Sequence, residues 1–315
     1  MLSVDKNTAS PRTGVSSGRT VMANIGMFVT ATMWGLSFVS TKVLTDNGLH
    51  PVEIYLYRFI IAYLVLLSFT FKYIRSYSWR DELLFMFLGL SGGSIYFIAE
   101  NIAIKETAVA NVSLITTLSP LITTFLMGAL YRSERPGRWI VIGSVIALIG
   151  VSLIILGGGA EAELHPIGDL LALGAAISFS VYSLVIKKIN PTYSTWFITR
   201  KTFFYGILTA LPFLLIEPEI APLSTLTRAE VWGNLAFLSL VCSLGAYVFM
   251  AVAVKAIGPV KTNNYLYLQP VVTMLAGMII LSEPVAWTGW LGCFLILGGL
   301  WLGETLTRRA KRSKL

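Results

Sequence analysis

The sequence predicts an all-α integral membrane protein: ten transmembrane helices arranged as two inverted five-helix repeats. Three observations carry that prediction. The 315-residue chain is 55% hydrophobic and 13% charged, with a mean hydropathy of +0.74, whereas a soluble domain carries about 25% charged residues. Its two halves repeat one pattern, each containing five apolar stretches. Its basic residues alternate in a way that only an even number of crossings satisfies.

A bilayer core about 30 Å thick needs about 20 apolar residues per helix at a rise of about 1.5 Å each. Residues 1–22 are polar, rich in Ser, Thr and Arg, and lack the apolar core of a signal peptide; they are expected to form a disordered cytosolic tail. The first repeat, 23–157, holds spans at 23–43, 52–71, 83–104, 108–130 and 138–156. A linker at 158–167 follows, opened by the run GGGAEAE, which is acidic, has no bulky residue and resists helix continuation. The second repeat, 168–303, holds spans at 168–186, 195–216, 231–254, 260–281 and 285–303, and a basic tail occupies 304–315.

The repetition is clearest in the fourth and fifth spans of each half. PLITTFLMGALYRSE (Pro120–Glu134) is echoed by PVVTMLAGMIILSE (Pro270–Glu283), and Gly143 and Gly150 recur with the same spacing as Gly292 and Gly299. An odd number of crossings per half inserts the second copy upside down. Inverted repeats build a midplane site between them, reached alternately from each side.

Charge fixes the orientation. With the N-terminus inside, 20 of the 24 Lys and Arg residues fall in cytosolic segments; Lys42, Lys105 and Arg228 fall outside and Arg58 lies within a helix. Lys and Arg accumulate on the cytoplasmic side of membrane proteins, so both termini are expected in the cytosol and the linker outside. The net charge of +8 therefore reports orientation and not nucleic-acid binding. Cys242 and Cys293 lie in apolar spans and make no disulfide or metal framework, and His50 and His165 each precede a proline in a connecting segment. No cofactor or metal is expected.

Ionisable residues inside a bilayer are expensive and usually face a cavity or a partner. Arg58 in span two and Glu100 in span three lie at similar depths, about 9 Å and about 6–7 Å below the outer surface by helical rise. They can tie two helices together as an ion pair. Alternatively Glu100 takes up a proton, or Arg58 meets a substrate carboxylate through a bidentate contact. Trp34, Ser37 and Thr41 share a face of span one, with Phe179, Tyr182 and Ile186 as their counterparts in span six, and Gly92, Tyr96 and Glu100 share a face of span three. Aromatic rings beside polar groups on inward faces form an amphipathic pocket. In the polar span nine, KTNNYLYLQP, Tyr267 and Gln269 are deep enough to meet a solute, while Asn263 and Asn264 lie near the cytosolic end; Thr116, Thr117 and Ser119 take the corresponding part in span four, with bonds to their own helix carbonyls as the alternative for the threonines. Pro120 and Pro270 occupy matching positions and are expected to kink helices four and nine, freeing carbonyls. Gly92-Gly93 is read as packing, with a hinge as the alternative.

These residues resemble those of a known family. The run WGLSFVSTK (Trp34–Lys42), Pro51 with Arg58 seven residues later, the TAVANVS run (Thr107–Ser113), Pro120, Glu134-Arg135-Pro136 and the glycine-punctuated fifth span follow one another in the order of the EamA family of the drug/metabolite transporter superfamily. The resemblance covers about residues 24–303. It implies a carrier of the inner membrane, commonly an exporter of amino acids or other small metabolites, with a central cavity lined by spans one, three, four, six, eight and nine. The second half departs from the pattern, with Phe179-Ser180 in place of Trp34-Gly35 and Arg200 nine residues after Pro191 instead of seven.

The competing classes require features this sequence does not have. An intramembrane enzyme or lipid-handling protein needs a nucleophile and base, or metal ligands, within the spans, and there is no in-span histidine and no second acid beside Glu100. A channel calls for rings of like charge or repeated carbonyl motifs. A sugar-phosphate or nucleotide-sugar antiporter wants several deep cations, and Arg58 stands nearly alone. The sequence favours a secondary transporter of an amino acid-like or drug-like solute. Its partners are that solute and the lipid bilayer, with proton coupling through Glu100 as an open reading and monomer and dimer equally compatible.

Overall fold

The computed structural model describes residues 17–70, 76–106, 109–131, 136–157, 166–215, 220–280 and 287–312. Most of the expected N-terminal tail, nearly all of the linker and the end of the basic tail lie outside the described residues, as do Lys72, Arg75, Arg132, Glu134, Arg135, His165 and Glu283. The described chain is all helix and turn, with no strand. In order, the helices are α1 (Ser17–Asp46), α2 (Pro51–Thr70), α3 (Trp79–Glu106), α4 (Val109–Thr116), α5 (Ser119–Leu130), α6 (Arg138–Gly157), α7 (Pro166–Ile189), α8 (Thr195–Ala210), α9 (Leu223–Leu226), α10 (Ala229–Ile257), α11 (Pro259–Asn264), α12 (Gln269–Ile280) and α13 (Trp287–Arg312).

Six of these, α1, α2, α3, α7, α10 and α13, are long and apolar enough to cross a membrane. The expected seventh span begins as α8 and tightens into a 3₁₀ segment at Leu211–Leu215. The fourth and ninth are each broken in two, at Thr117-Leu118 between α4 and α5 and by the 3₁₀ turn Tyr265–Leu268 between α11 and α12. Local chemistry sets the helix starts. Ser78 caps α3 by accepting the Asp81 amide at 3.2 Å, with Asp81 and Glu82 in the first turn where the helix dipole favours negative charge. Gly258, at φ 82°, ends α10 and lets Pro259 start α11, where a missing N–H costs nothing.

Both prolines therefore act differently from the expected kink. Pro120 and Pro270 are each the second residue of a new helix, α5 and α12, so they restart an interrupted helix and do not bend a continuous one. The reason is positional: a first-turn proline lacks only an N–H that has no intrahelical partner anyway.

The repeated glycines form a single contact. An added Cβ on Gly143 would lie 2.4 Å from the Gly299 carbonyl, and one on Gly150 would lie 2.5 Å from that of Gly292. The pairs run in reverse order along the two helices, so α6 and α13 pack antiparallel with their backbones nearly touching, as small residues permit. Elsewhere the halves exchange partners: α1 packs on α10 and α12, whereas α7 packs on α3, α4 and α5.

Two helices contain wider π-turns, α3 at Leu90–Ser94 and α10 at Phe237–Gly245. Such turns insert one residue and loosen the carbonyl ladder. The carbonyls concerned are taken by side chains from other helices: Ser178 Oγ donates to Ser91 O at 2.8 Å, the Tyr247 hydroxyl donates to Gly92 O, and Trp34 Nε1 donates to Cys242 O at 2.8 Å. Gly92 and Gly93 sit within this packing. A Cβ on Gly92 would be 2.2 Å from the Tyr182 ring, and one on Gly93 would be 2.9 Å from the Tyr55 hydroxyl. Close approach accounts for both glycines.

Candidate functional site

Where α1 and α7 meet, a small cavity opens between the halves of the chain. Trp34, Ser37 and Phe38 of α1, Tyr96, Phe97 and Glu100 of α3, Thr116 of α4 and Ser119 of α5 line it from the first half; Phe179 of α7, Leu266 of the 3₁₀ turn and Gln269 of α12 line it from the second. Its volume is about 10 Å³, the scale of a single water. An organic solute enters only if the helices separate.

Aromatic rings build the walls. Trp34 stands edge-on to Phe179 with centroids 5.8 Å apart, and Tyr96 packs 5.1 Å from Phe179 and 4.6 Å from Phe97. The Trp34–Phe179 and Tyr96–Phe97 pairs are edge-to-face, a geometry that holds rings in fixed orientations. The bond to Cys242 O satisfies the Trp34 indole N–H, leaving its apolar face for the cavity. Ser37 Oγ donates to Trp34 O at 2.7 Å, and Thr116 Oγ1 bonds Val112 O of its own helix at 2.8 Å. Gln269 opens α12 beside the break, 6% exposed.

Glu100 is 4% exposed, with the Tyr96 hydroxyl turned to its carboxyl and Oε2 lacking a hydrogen-bond partner among the described residues. The expected ion pair with Arg58 is not closed. Instead Arg58 Nε donates to Ser243 Oγ at 2.5 Å, its guanidinium carbon lies 4.4 Å from the Phe97 ring centre, and Nη2 is buried without a hydrogen-bond partner among the described residues. The π-turn of α10 supplies Ser243 and draws the guanidinium aside, stacked on an aromatic face. Arg58 still acts on Glu100 electrostatically.

Eight of the expected residues thus come together: Trp34, Ser37, Tyr96, Glu100, Thr116, Ser119, Phe179 and Gln269. Thr41 is buried on α1 outside the cavity lining. Tyr182 stands behind the wall, over Gly92 and 5.8 Å from the Tyr247 ring. Tyr267 is fully buried with Ala147, Val151, Cys293 and Ile296, against α6 and α13. Asn263, expected to find solvent, is fully buried and donates to Ser183 Oγ at 2.9 Å. Sequence reasoning missed Phe38, Phe97 and Leu266 as cavity residues and Ser243 as the partner of Arg58. Phe38 was within reach, one helical turn from Trp34, and so was Phe97, three residues before Glu100 on a regular stretch of helix.

Broken helices around a small, mixed polar and aromatic cavity, within a bundle of long apolar helices, define a multi-pass membrane transporter. Residues 21–156 and 166–303 each match the EamA-like transporter family, and the chain belongs to it. An uncharacterized transporter of Archaeoglobus fulgidus is 25% identical over 87% of this chain and 94% of its own length. The uncharacterized transporter YetK of Bacillus subtilis is 24% identical over 78% of this chain and 76% of its own. The uncharacterized inner membrane transporter YicL of Salmonella typhimurium is 23% identical over 94% of this chain and 99% of its own. A crystal structure shares the fold at a TM-score of 0.73 with 21% identity, covering 93% of this chain and 99% of that one.

Proposed function

We propose that the chain is a secondary transporter that moves a small amino acid-like or drug-like solute across the cytoplasmic membrane by alternating access. The carrying observation is the cavity itself: it lies between the halves, draws side chains from both, and is too contracted to hold an organic molecule without helix movement. Ten crossings in two inverted repeats make that movement a rocking of one half on the other. Three matched features support inversion: the reversed glycine pairing of α6 and α13, the π-turns in α3 and α10, and the breaks before Pro120 and Pro270. The domain limits follow as 23–157 and 168–303, joined by an external linker, with both termini cytosolic in the inner membrane by the charge distribution. Export is the direction, on the strength of the family resemblance.

Glu100 takes up and releases a proton as the solute passes. It lines the cavity, has an unpartnered oxygen and lacks a closed ion pair to hold it permanently charged. Trp34, Phe179 and Tyr96 clamp the apolar part of the solute, while Gln269 and Ser37 meet its polar groups. A single lining ionisable group suits a zwitterion or weakly polar solute better than a polyanion.

The test compares extracellular metabolite pools of overproducing and deletion cells, then reconstitutes the purified chain with the solutes that change. Solute movement in proteoliposomes that Trp34→Ala weakens, with membrane insertion intact, is the expected result. Movement through Trp34→Ala at the full rate removes that cavity from the path.

A further inference from the structure

A second cavity, of about 320 Å³, opens at the periphery of the bundle between the end of α2 and the start of α8. It is far larger than the central one and has a different chemistry. Arg200 lies in its wall, only 4% exposed. Nη1 donates to the Thr70 carbonyl, the Phe197 ring centre lies 5.3 Å from the guanidinium carbon, and Nη2 is buried with no hydrogen-bond partner among the described residues. The neighbouring cation Lys201 is already committed to Glu82 at 2.6 Å.

We infer that this cavity is a binding site for the phosphate of an anionic membrane phospholipid, with Arg200 as its principal ligand. A buried guanidinium donor without an acceptor is costly, and a phosphate oxygen supplies the charge-assisted bond it lacks. The start of α8 reinforces it. Ser194 caps the helix by accepting the Phe197 amide at 3.3 Å, the first turn has no acidic residue, and Ser194 and Trp196 both border the cavity. The positive end of a 16-residue helix therefore faces the same space.

The lipid origin of the phosphate follows from the rim. Phe69 and Trp196 border the cavity with large exposed rings, 60% and 48% accessible, set edge-to-face with centroids 6.5 Å apart. Exposed Trp and Phe beside a cation mark the headgroup level of a bilayer, where acyl chains lie on one side and phosphates on the other. A soluble anion has no use for that apolar rim. The bound lipid bridges α2 to α8, one helix from each half of the chain.

The experiment titrates the purified full chain in detergent with phosphatidylglycerol and follows thermal unfolding, with phosphatidylcholine, glycerol phosphate and inorganic phosphate as parallel arms. Two variants accompany it. Arg200→Gln removes the charge, and Ser194→Asp keeps a competent helix cap while placing a negative charge in the cavity. Phosphatidylglycerol is expected to stabilise the wild type, and each variant to need about tenfold more lipid for the same shift. Ser194→Asp is expected to unfold at the wild-type temperature without lipid. A wild-type lipid response in Ser194→Asp overturns the proposal. So does equal stabilisation by phosphatidylcholine, or by either soluble phosphate. Because the readout is binding, failure here leaves the transport reading standing, and the converse also holds.

Discussion

Glu82 and Glu100 sit on the same helix, α3, five turns apart, and their surroundings are opposites. Glu82 is fully occupied: Lys201 Nζ and the Tyr205 hydroxyl each donate to it at 2.6 Å, and Ser76 Oγ at 2.7 Å. Those bonds staple the start of α3 to α8. Glu100 has a hydrogen-bond partner in Tyr96, an oxygen with no partner among the described residues and a cation held aside by Ser243. A carboxylate with both oxygens engaged is structure, whereas one with an unsatisfied oxygen beside a cavity is available for chemistry.

The comparison breaks most decisively at Glu100. Glu100→Gln is expected to remove the pH-gradient dependence of uptake into vesicles, lowering gradient-driven uptake by at least about tenfold, on the scale of losing an essential proton carrier. Unchanged dependence would make Glu100 structural and erase the contrast. Glu82→Gln is expected to act on stability instead, costing about 2 kcal/mol through lost charge-assisted bonds, read as a lowered unfolding temperature, with pH dependence intact. Loss of coupling in that variant would mean that the two carboxylates are not separable.

Smaller effects sharpen the same contrast. Gln269→Leu, similar in volume, is expected to weaken solute uptake by about fivefold, the scale of one polar contact, with little change in unfolding temperature. Tyr267→Phe is expected to leave uptake within about twofold, because that hydroxyl faces α6 and α13 and not the cavity. The smallest effect belongs to Tyr193, beside the Glu82 staple. Burial, and then its bond to Asp81 at 2.7 Å, push its hydroxyl up to about 12. A raised folded-state value means that its contribution to stability is present below about pH 10 and is lost as pH rises through about 12. Tyr193→Phe should therefore lower the unfolding temperature near neutrality, by the loss of that bond, and flatten its decline between about pH 10 and about 12; an alkaline decline as steep as that of the wild type would refute this assignment.

Much of this was legible in the chain. Hydropathy exposes long apolar helices because lipid demands internal satisfaction of every backbone group. The repeated spacing of Gly143, Gly150, Gly292 and Gly299 announced a close contact, although not that the two pairs meet each other. Trp34, Ser37 and Tyr96 were recognisable because regular helical spacing holds along those stretches. What stayed hidden depends on departures from regularity. One extra residue in a π-turn leaves the apolar pattern unchanged yet parts Gly92, packed on Tyr182, from Tyr96 and Glu100 in the cavity, and Tyr267 within the 3₁₀ turn lies against α6 and α13 while Gln269 lines the cavity. Likewise, no local signal links Arg58 to Ser243, which lies 185 residues away.

The most direct test reconstitutes the wild type, Glu100→Gln and Glu82→Gln with a pH-sensitive dye trapped inside the vesicles, and adds the transported solute. Solute-driven proton movement in the wild type and in Glu82→Gln, with none in Glu100→Gln, is the predicted result. Equal proton movement in all three would contradict it.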